Sequence, residues 1–170
     1  MSERPKPKNI EVPYPKTELN LIVSKTDLKG KITYCNELFI HMSRYEEQEL
    51  LGKPHNIIRH PDMPRIIFKL LWDTIQSGNE INAYVKNMAK DGAYYWVFAN
   101  VTPSFDKNDN IIGYFSVRRP PKKEALEIIE PLYRHLLSLE QQGGMEASKK
   151  YLDTLLQKKE LSYEEFILSI

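Results

Sequence analysis

Cysteine is almost missing from this chain: Cys35 is the one thiol in 170 residues. That excludes an intramolecular disulfide framework and any multi-cysteine zinc site. Glycine is scarce too, with seven in all, most of them at turn positions, which leaves little for a phosphate-cradling loop. The strings G-x-G-x-x-G, H-E-x-x-H, G-x-S-x-G and the P-loop are absent, and with them the enzyme classes they mark. No apolar run approaches the ~20 residues that span a bilayer, and the start, MSERPKPKNIEVPYPK, lacks a signal-peptide hydrophobic region. Charge of one sign is not in excess either. Lys and Arg number 24 against 23 Asp and Glu, a net +1, and no segment is strongly basic. A generic polyanion binder carries a clustered basic excess, so nucleic acid is not an expected partner. The expectation is a soluble, cytoplasmic protein without direct membrane insertion, associated with a membrane only through a partner.

What is present is material for one core. A 170-residue chain that is 41% hydrophobic suits a single domain with an appendage. The division expected is a proline-rich segment 1–17, a domain 18–120 and a helical extension 121–170. Pro5, Pro7, Pro13 and Pro15 keep the first segment extended or disordered, so order is expected to begin near Glu18. The β-branched run 19–26 reads as a strand, Asp27-Leu28-Lys29-Gly30 as a turn and 31–35 as a second strand. Asn36 can cap a short helix, and Ser43 with Glu46 has capping-box spacing for another, 45–51, stopped at Gly52. Apolar positions 66, 67, 70, 71 and 75 make one face of a helix over 65–77. Three strands follow: 81–88, 93–105 after the hairpin signal Lys90-Asp91-Gly92, and 111–118. The fold class is therefore α+β, a five-stranded antiparallel sheet with helices cupped on one face. In the extension, Pro131 predicts a kink or a junction of two helices, Gly143-Gly144 a hinge, and Ser162 with Glu165 the cap of a last helix over 163–170.

The unusual stretch is 54–64, Pro-His-Asn-Ile-Ile-Arg-His-Pro-Asp-Met-Pro. On composition alone it fits a solvated loop, with Asp62 capping the next helix and Arg59 paired to a carboxylate. The functional reading has prolines holding polar groups around a concave site for an electron-rich ligand. As a metal site it is weak, since His55 and His60 are five apart with no third ligand. Trp72 on the following helix reads equally as core filling, and Asn87 equally as an exposed strand position. Cys35 reads as a small buried hydrophobe rather than a nucleophile. Composition and period name no ligand.

The order of motifs resembles a PAS sensor domain. Its pieces are Thr26-Asp27-Leu28-Lys29-Gly30-Lys31-Ile32-Thr33-Tyr34-Cys35-Asn36 with Phe39, Tyr45 before Glu49-Leu50-Leu51-Gly52-Lys53, and Lys90-Asp91-Gly92 before Tyr95-Trp96-Val97. Gly52-Lys53-Pro54-His55-Asn56, Arg59-His60-Pro61-Asp62-Met63-Pro64, Trp72, Val85-Lys86-Asn87 and Glu130-Pro131-Leu132-Tyr133 narrow it to the aerotaxis-receptor PAS family. The match runs from about Leu21 to Leu137 and leaves the rest of the tail uncovered.

That resemblance implies an FAD-binding redox sensor for energy taxis rather than an enzyme. Receptors of the family carry a membrane anchor and a signalling coiled coil, and this sequence shows neither. The expectation is thus a free-standing PAS subunit that signals to a membrane-bound, methyl-accepting-chemotaxis-type transducer, with homodimerisation left open. The family's cofactor residues carry over to Arg59, His60, Asp62 and Trp72; by position Asn36, His55, Asn56 and Asn87 join them. FMN in place of FAD, a haem-binding gas sensor using His55 or His60, and a ligand-free interaction module remain as alternatives. A cysteinyl-adduct photoreceptor is disfavoured because Cys35 falls on a strand.

Overall fold

The β-branched and aromatic runs form strands, and the turn signals separate them. In the computed structural model, which describes residues 3–170, the strands are β1 (Ile22–Thr26), β2 (Ile32–Cys35), β3 (Ile81–Met88), β4 (Tyr94–Phe105) and β5 (Ile111–Arg119). They pair antiparallel in the order β2-β1-β5-β4-β3. Strands β2 and β3 therefore lie on opposite edges, and the chain joining them must cross the whole sheet. It does so as α1 (Glu37–Ser43), α2 (Glu47–Leu50), a 3-10 turn His55–Ile58 and α3 (Arg65–Gln76). This crossing makes the cup. Successive strand residues point to opposite faces, so Ser24, Val85, Asn87, Ala99, Ser116 and Arg118 share the face beneath the helices.

Local chemistry accounts for the ends of these helices. Asn36 caps α1: its Oδ1 accepts from Phe39 N at 3.1 Å and from Val23 N at 3.0 Å. The expected Ser43–Glu46 capping box does not form. Ser43 is buried as the last residue of α1, and Glu46 caps α2 instead, its backbone N–H donating to Glu49 Oε2 at 2.9 Å. Asp62 does not cap α3 either. Pro64 occupies that cap position and offers no acceptor side chain. A carboxylate from far along the chain, Glu140, takes the Arg65 N–H.

Two further expectations are corrected at the termini. Order begins well before Glu18. Strand β4 reaches past the end of β5, and residues 8–12 lie along the edge this leaves, with Lys8 N bonded to Gly92 O and Val12 N to Tyr94 O. Val12 is buried there. The Lys6 carbonyl comes so close to Gly92 that a Cβ would sit 2.0 Å from it. At the other end, α4 (Lys123–Lys159) passes through Pro131 with helical dihedrals and breaks only at Gly144. Pro131 and Glu127, whose carbonyl the proline leaves free, are both exposed, so water can satisfy it. At Gly144 (φ 72°, ψ −173°) the chain reverses, as His135 packed edge-on against Tyr151 and Ser148 bonded to Glu140 require. The first arm buries Ala125, Ile129, Tyr133 and Leu136, and Tyr133 lies against Trp96 on the sheet's outer face. The last helix, α5 (Tyr163–Ser169), starts at the expected Ser162–Glu165 capping box.

Candidate functional site

Between the sheet and α3 lies a cavity of about 410 Å³, within the ~300–1,000 Å³ common for small-molecule sites. Its wall is apolar where Phe68, Leu71, Trp72 and Ile75 of α3 face Val85, Ala99 and Val101 of the sheet. Of the eight residues proposed from sequence, five line it: His55, Asn56, Arg59, Trp72 and Asn87. Asn87 is buried, and Arg59 is fastened beside it by a backbone bridge between the two residues. The Arg59 guanidinium stacks 3.8 Å above the Phe68 ring rather than pairing with a carboxylate. Trp72 serves both of its readings, lining the cavity while packing edge-on against Tyr114 at 5.5 Å.

The other three stand apart from the cavity. Asn36 is spent on capping α1 and on Leu21 O, to which its Nδ2 donates at 2.8 Å. His60 is buried behind the loop, where its Nδ1 accepts from Asp62 N at 3.0 Å. Burial and the nearby Lys86 lower its pKa against the pull of Asp62. Asp62 points outward to Lys86 Nζ at 2.9 Å. Burial raises its carboxyl, but Lys86 outweighs it and the net shift is downward. Together they set the loop's shape, with Met63 Sδ accepting from Lys86 N at 3.2 Å.

Sequence reasoning missed the central polar group. Arg118 on β5 is buried, donating to His55 Nε2 and to Ser24 Oγ, both at 2.8 Å. Among the described residues its Nε has no partner, nor has the buried Tyr95 hydroxyl. No carboxylate lies within ion-pair range of Arg118 among the described residues. Burial lowers its pKa to about 10, which leaves it charged at neutral pH. Burial and the adjacent guanidinium hold His55 down at about 3. A guanidinium only donates, so Nε2 of this neutral histidine accepts and the ring proton sits on Nδ1. Strand alternation through Tyr114, Ser116 and Arg118 was the available signal.

Four more cations line the cavity: Lys29, Arg59, Arg65 and Lys69. Among the described residues no carboxylate lines it, although Lys69 is itself paired with Asp73 Oδ2 at 2.8 Å. Lys29, Arg65 and Lys69 are exposed, which puts them at the mouth, while Arg118 lies inside. The arrangement favours a guest with an apolar body, hydrogen-bonding edges and negative charge trailing outward. Cys35 is buried at the end of β2 and does not line the cavity. Among the described residues no three His, Cys, Asp or Glu side chains gather as a metal site, and no helix is long and apolar enough to cross a membrane.

A family model described as the PAS fold matches residues 32–118. The chain belongs to the PAS family. Over 115 residues it is 43% identical to the aerotaxis receptor of Escherichia coli (strain K12), covering 68% of this chain and 22% of the receptor. The nitrogen fixation regulatory protein of Klebsiella pneumoniae is 26% identical over 102 residues, 60% of this chain and 21% of that one. This PAS chain thus spans about a fifth of the length of these curated relatives. Among solved structures, a light-oxygen-voltage domain studied with a flavin analogue superposes with a TM-score of 0.58 at 18% identity, over 65% of this chain and 83% of that one. A PAS domain from Colwellia psychrerythraea gives 0.56 at 20%, over 62% and 89%. Both share the five-stranded α+β fold described above.

Proposed function

We propose that this PAS protein holds FAD in the cavity and reports cellular redox state to a membrane-bound, methyl-accepting-chemotaxis-type transducer, serving energy taxis from the cytoplasm. The observation that carries this reading is the cavity's charge: five cations line it without a carboxylate, around an apolar interior. A flavin dinucleotide has the matching chemistry, an apolar tricycle with polar edges and an anionic diphosphate. Lys29, Arg59 and Arg65, with Lys69 shared with Asp73, suit a diphosphate better than the single phosphate of FMN. Similarity to the aerotaxis receptor supports the taxis role and the transducer partner. No catalytic role is read into the site, whose neutral His55 is already bonded to Arg118 and Ser24.

The orphaned Nε of Arg118, which lines the cavity, fits the polar edge of such a ring. Arg118 supplies an uncompensated positive charge inside the cavity, which favours electron density close to it. Asn87, with a donor and an acceptor on one amide, can serve either hydrogen-bonding state of a ring nitrogen by rotating. Arg59 closes over the mouth from its seat on Phe68, while His60 and Asp62 keep the loop in place from behind. When bound, a flavin supplies reversible electron storage, with added density at its N1–C2=O edge and an altered hydrogen bond at N5. Asn87 lies on the β3 edge strand, so its rotation is felt by the sheet.

Haem is less well served, since His55 Nε2 is occupied and His60 does not line the cavity. A ligand-free module would have filled this space with side chains. The test is to heat-release the chromophore from freshly purified protein and identify it by mass. FAD is expected, and Arg59→Ala, Trp72→Ala or His60→Ala should each lower its occupancy. Colourless protein that takes up no added FAD, or a Soret band in place of flavin absorption, would overturn the reading.

A further inference from the structure

The C-terminal helices grip both walls of the cavity, and each grip is on a backbone group that the core leaves without a partner. On α3 the grip is Glu140. Its carboxylate is buried at 6% exposure and accepts the Arg65 N–H, with Oε2 at 3.0 Å, at a helix start whose cap residue is Pro64. Ser148, on the arm that returns after Gly144, donates to the same carboxylate at 3.3 Å. No cation lies in ion-pair range of Glu140 among the described residues. Among the described residues the only group holding the carboxylate to the core is therefore the α3 N-terminus, where the helix dipole favours negative charge. On β3 the grips are two tyrosines. Tyr133 Oη donates to the Tyr84 carbonyl at 2.6 Å, and Tyr163 Oη to the Asn82 carbonyl at 3.1 Å. Residues 82 and 84 alternate along the free edge of this edge strand.

The two gripped elements are opposite walls of one cavity. Arg65, Phe68, Leu71, Trp72 and Ile75 come from α3, and Val85 with Asn87 from β3. The α4 hairpin with the α5 that follows it satisfies all three contacts only at one separation of α3 from β3. Packed helices and interfaces respond to small shifts by switching between arrangements rather than by stretching. We propose that residues 123–170 are the readout arm of the cavity, with Glu140 as its latch on α3. A change in the guest that moves α3 against β3 breaks the Glu140 contact and frees the arm beyond Gly144. The whole arm lies outside residues 32–118, so the family match assigns it nothing. The readout role rests on the cavity being the sensory site; the latch itself does not.

Hydrogen exchange on the full chain tests the latch without any ligand. Glu140→Ala should speed exchange of amides in 145–169 about tenfold, as loss of a helix cap does, with β4 and β5 still protected. Glu140→Gln, which keeps an acceptor oxygen, should fall between, and Tyr163→Phe should loosen α5 alone. Exchange unchanged in both Glu140→Ala and Tyr163→Phe would overturn the latch. The readout is tested with FAD added, oxidised and then dithionite-reduced. Exchange in 145–169 should differ about fivefold between the two forms, and the difference should vanish in Glu140→Ala. Identical exchange in both forms with FAD bound would overturn the readout role. Failure of the wild-type chain to bind FAD would overturn the flavin reading instead, and the ligand-free exchange would still decide the latch.

Discussion

Arg118 sits on β5 with its charge buried, and among the described residues no carboxylate lies in ion-pair range of it. Replacing even a buried ion pair by apolar side chains of similar volume is often neutral or stabilising by about 1–4 kcal/mol, and an unpaired buried charge has no Coulombic partner to lose. Ser24 Oγ already lies 3.0 Å from His55 Nε2, so that pair survives the loss of the guanidinium. Arg118→Met should therefore leave ligand-free stability unchanged or raised by about 1 kcal/mol. FAD affinity should fall about tenfold through the lost charged hydrogen bonds. A urea melt and a flavin titration read the two effects separately, and a large loss of ligand-free stability would show the cation to be structural. His55 gives a prediction in pH. Its folded pKa of about 3 lies below the ordinary ~6.5 of an unfolded histidine. Between those values the unfolded chain binds a proton that the folded chain refuses. Stability is then full above pH ~6.5 and falls as the solution is acidified, by at most about 1.4 kcal/mol per pH unit. His60, also lowered, adds in the same direction. Urea midpoints at about pH 7.5 and about pH 5 should differ less in His55→Gln than in wild type; an equal difference would mean that His55 titrates normally.

At the scale of elements, Gly144 carries the turn of the C-terminal hairpin. Its φ of 72° with ψ of −173° belongs to a region that is essentially glycine's alone, at a cost of about 1–3 kcal/mol for other residues. Gly144→Ala should lower stability by about that amount and speed exchange throughout 145–169, whereas Gly143→Ala should cost less. Equal effects would place the reversal elsewhere. The hinge was legible because two adjacent glycines interrupt a helical period. So were the five strands, whose alternation and turn residues are local signals. What misled was each feature decided by a distant partner. Pro131 looked like a break, but it lies on the solvent face where a freed carbonyl is hydrated. Ser43 and Glu46 had capping-box spacing, but packing drew Ser43 into the core. The cap of α3 came from Glu140, 75 residues away, and no local pattern encodes that. The proline-rich segment read as structureless because its partner, the overhanging edge of β4, exists only after β4 and β5 pair out of length. Among site residues, those in the Pro54–Pro64 loop stood out by composition, whereas Arg118 was hidden at the end of an ordinary strand.

Across the whole molecule the charge nearly cancels at +1, and the sequence alone excluded a polyanion partner on that basis. The balance is global and hides a local excess. Folding gathers Lys29, Arg59, Arg65 and Lys69, from three separate stretches of chain, around one mouth, with Arg118 inside. A guest reaching this mouth meets a positive field even though the protein as a whole offers almost none. The diphosphate of a dinucleotide should feel that field, and the tricycle alone should not. FAD binding is accordingly expected to weaken as KCl is raised from about 50 mM to about 500 mM, over which screening shortens from more than 10 Å to a few ångströms. Riboflavin, which keeps the ring and lacks phosphate, should bind more weakly and with little salt dependence. The double variant Arg65→Gln, Lys69→Gln removes exposed cations without disturbing the cavity's apolar wall. It should shift the FAD titration toward the riboflavin one and leave riboflavin binding unaltered. Equal salt dependence for the two ligands, or FAD binding untouched in the double variant, would mean that the diphosphate leaves the cavity by another route and that the mouth cations serve something else.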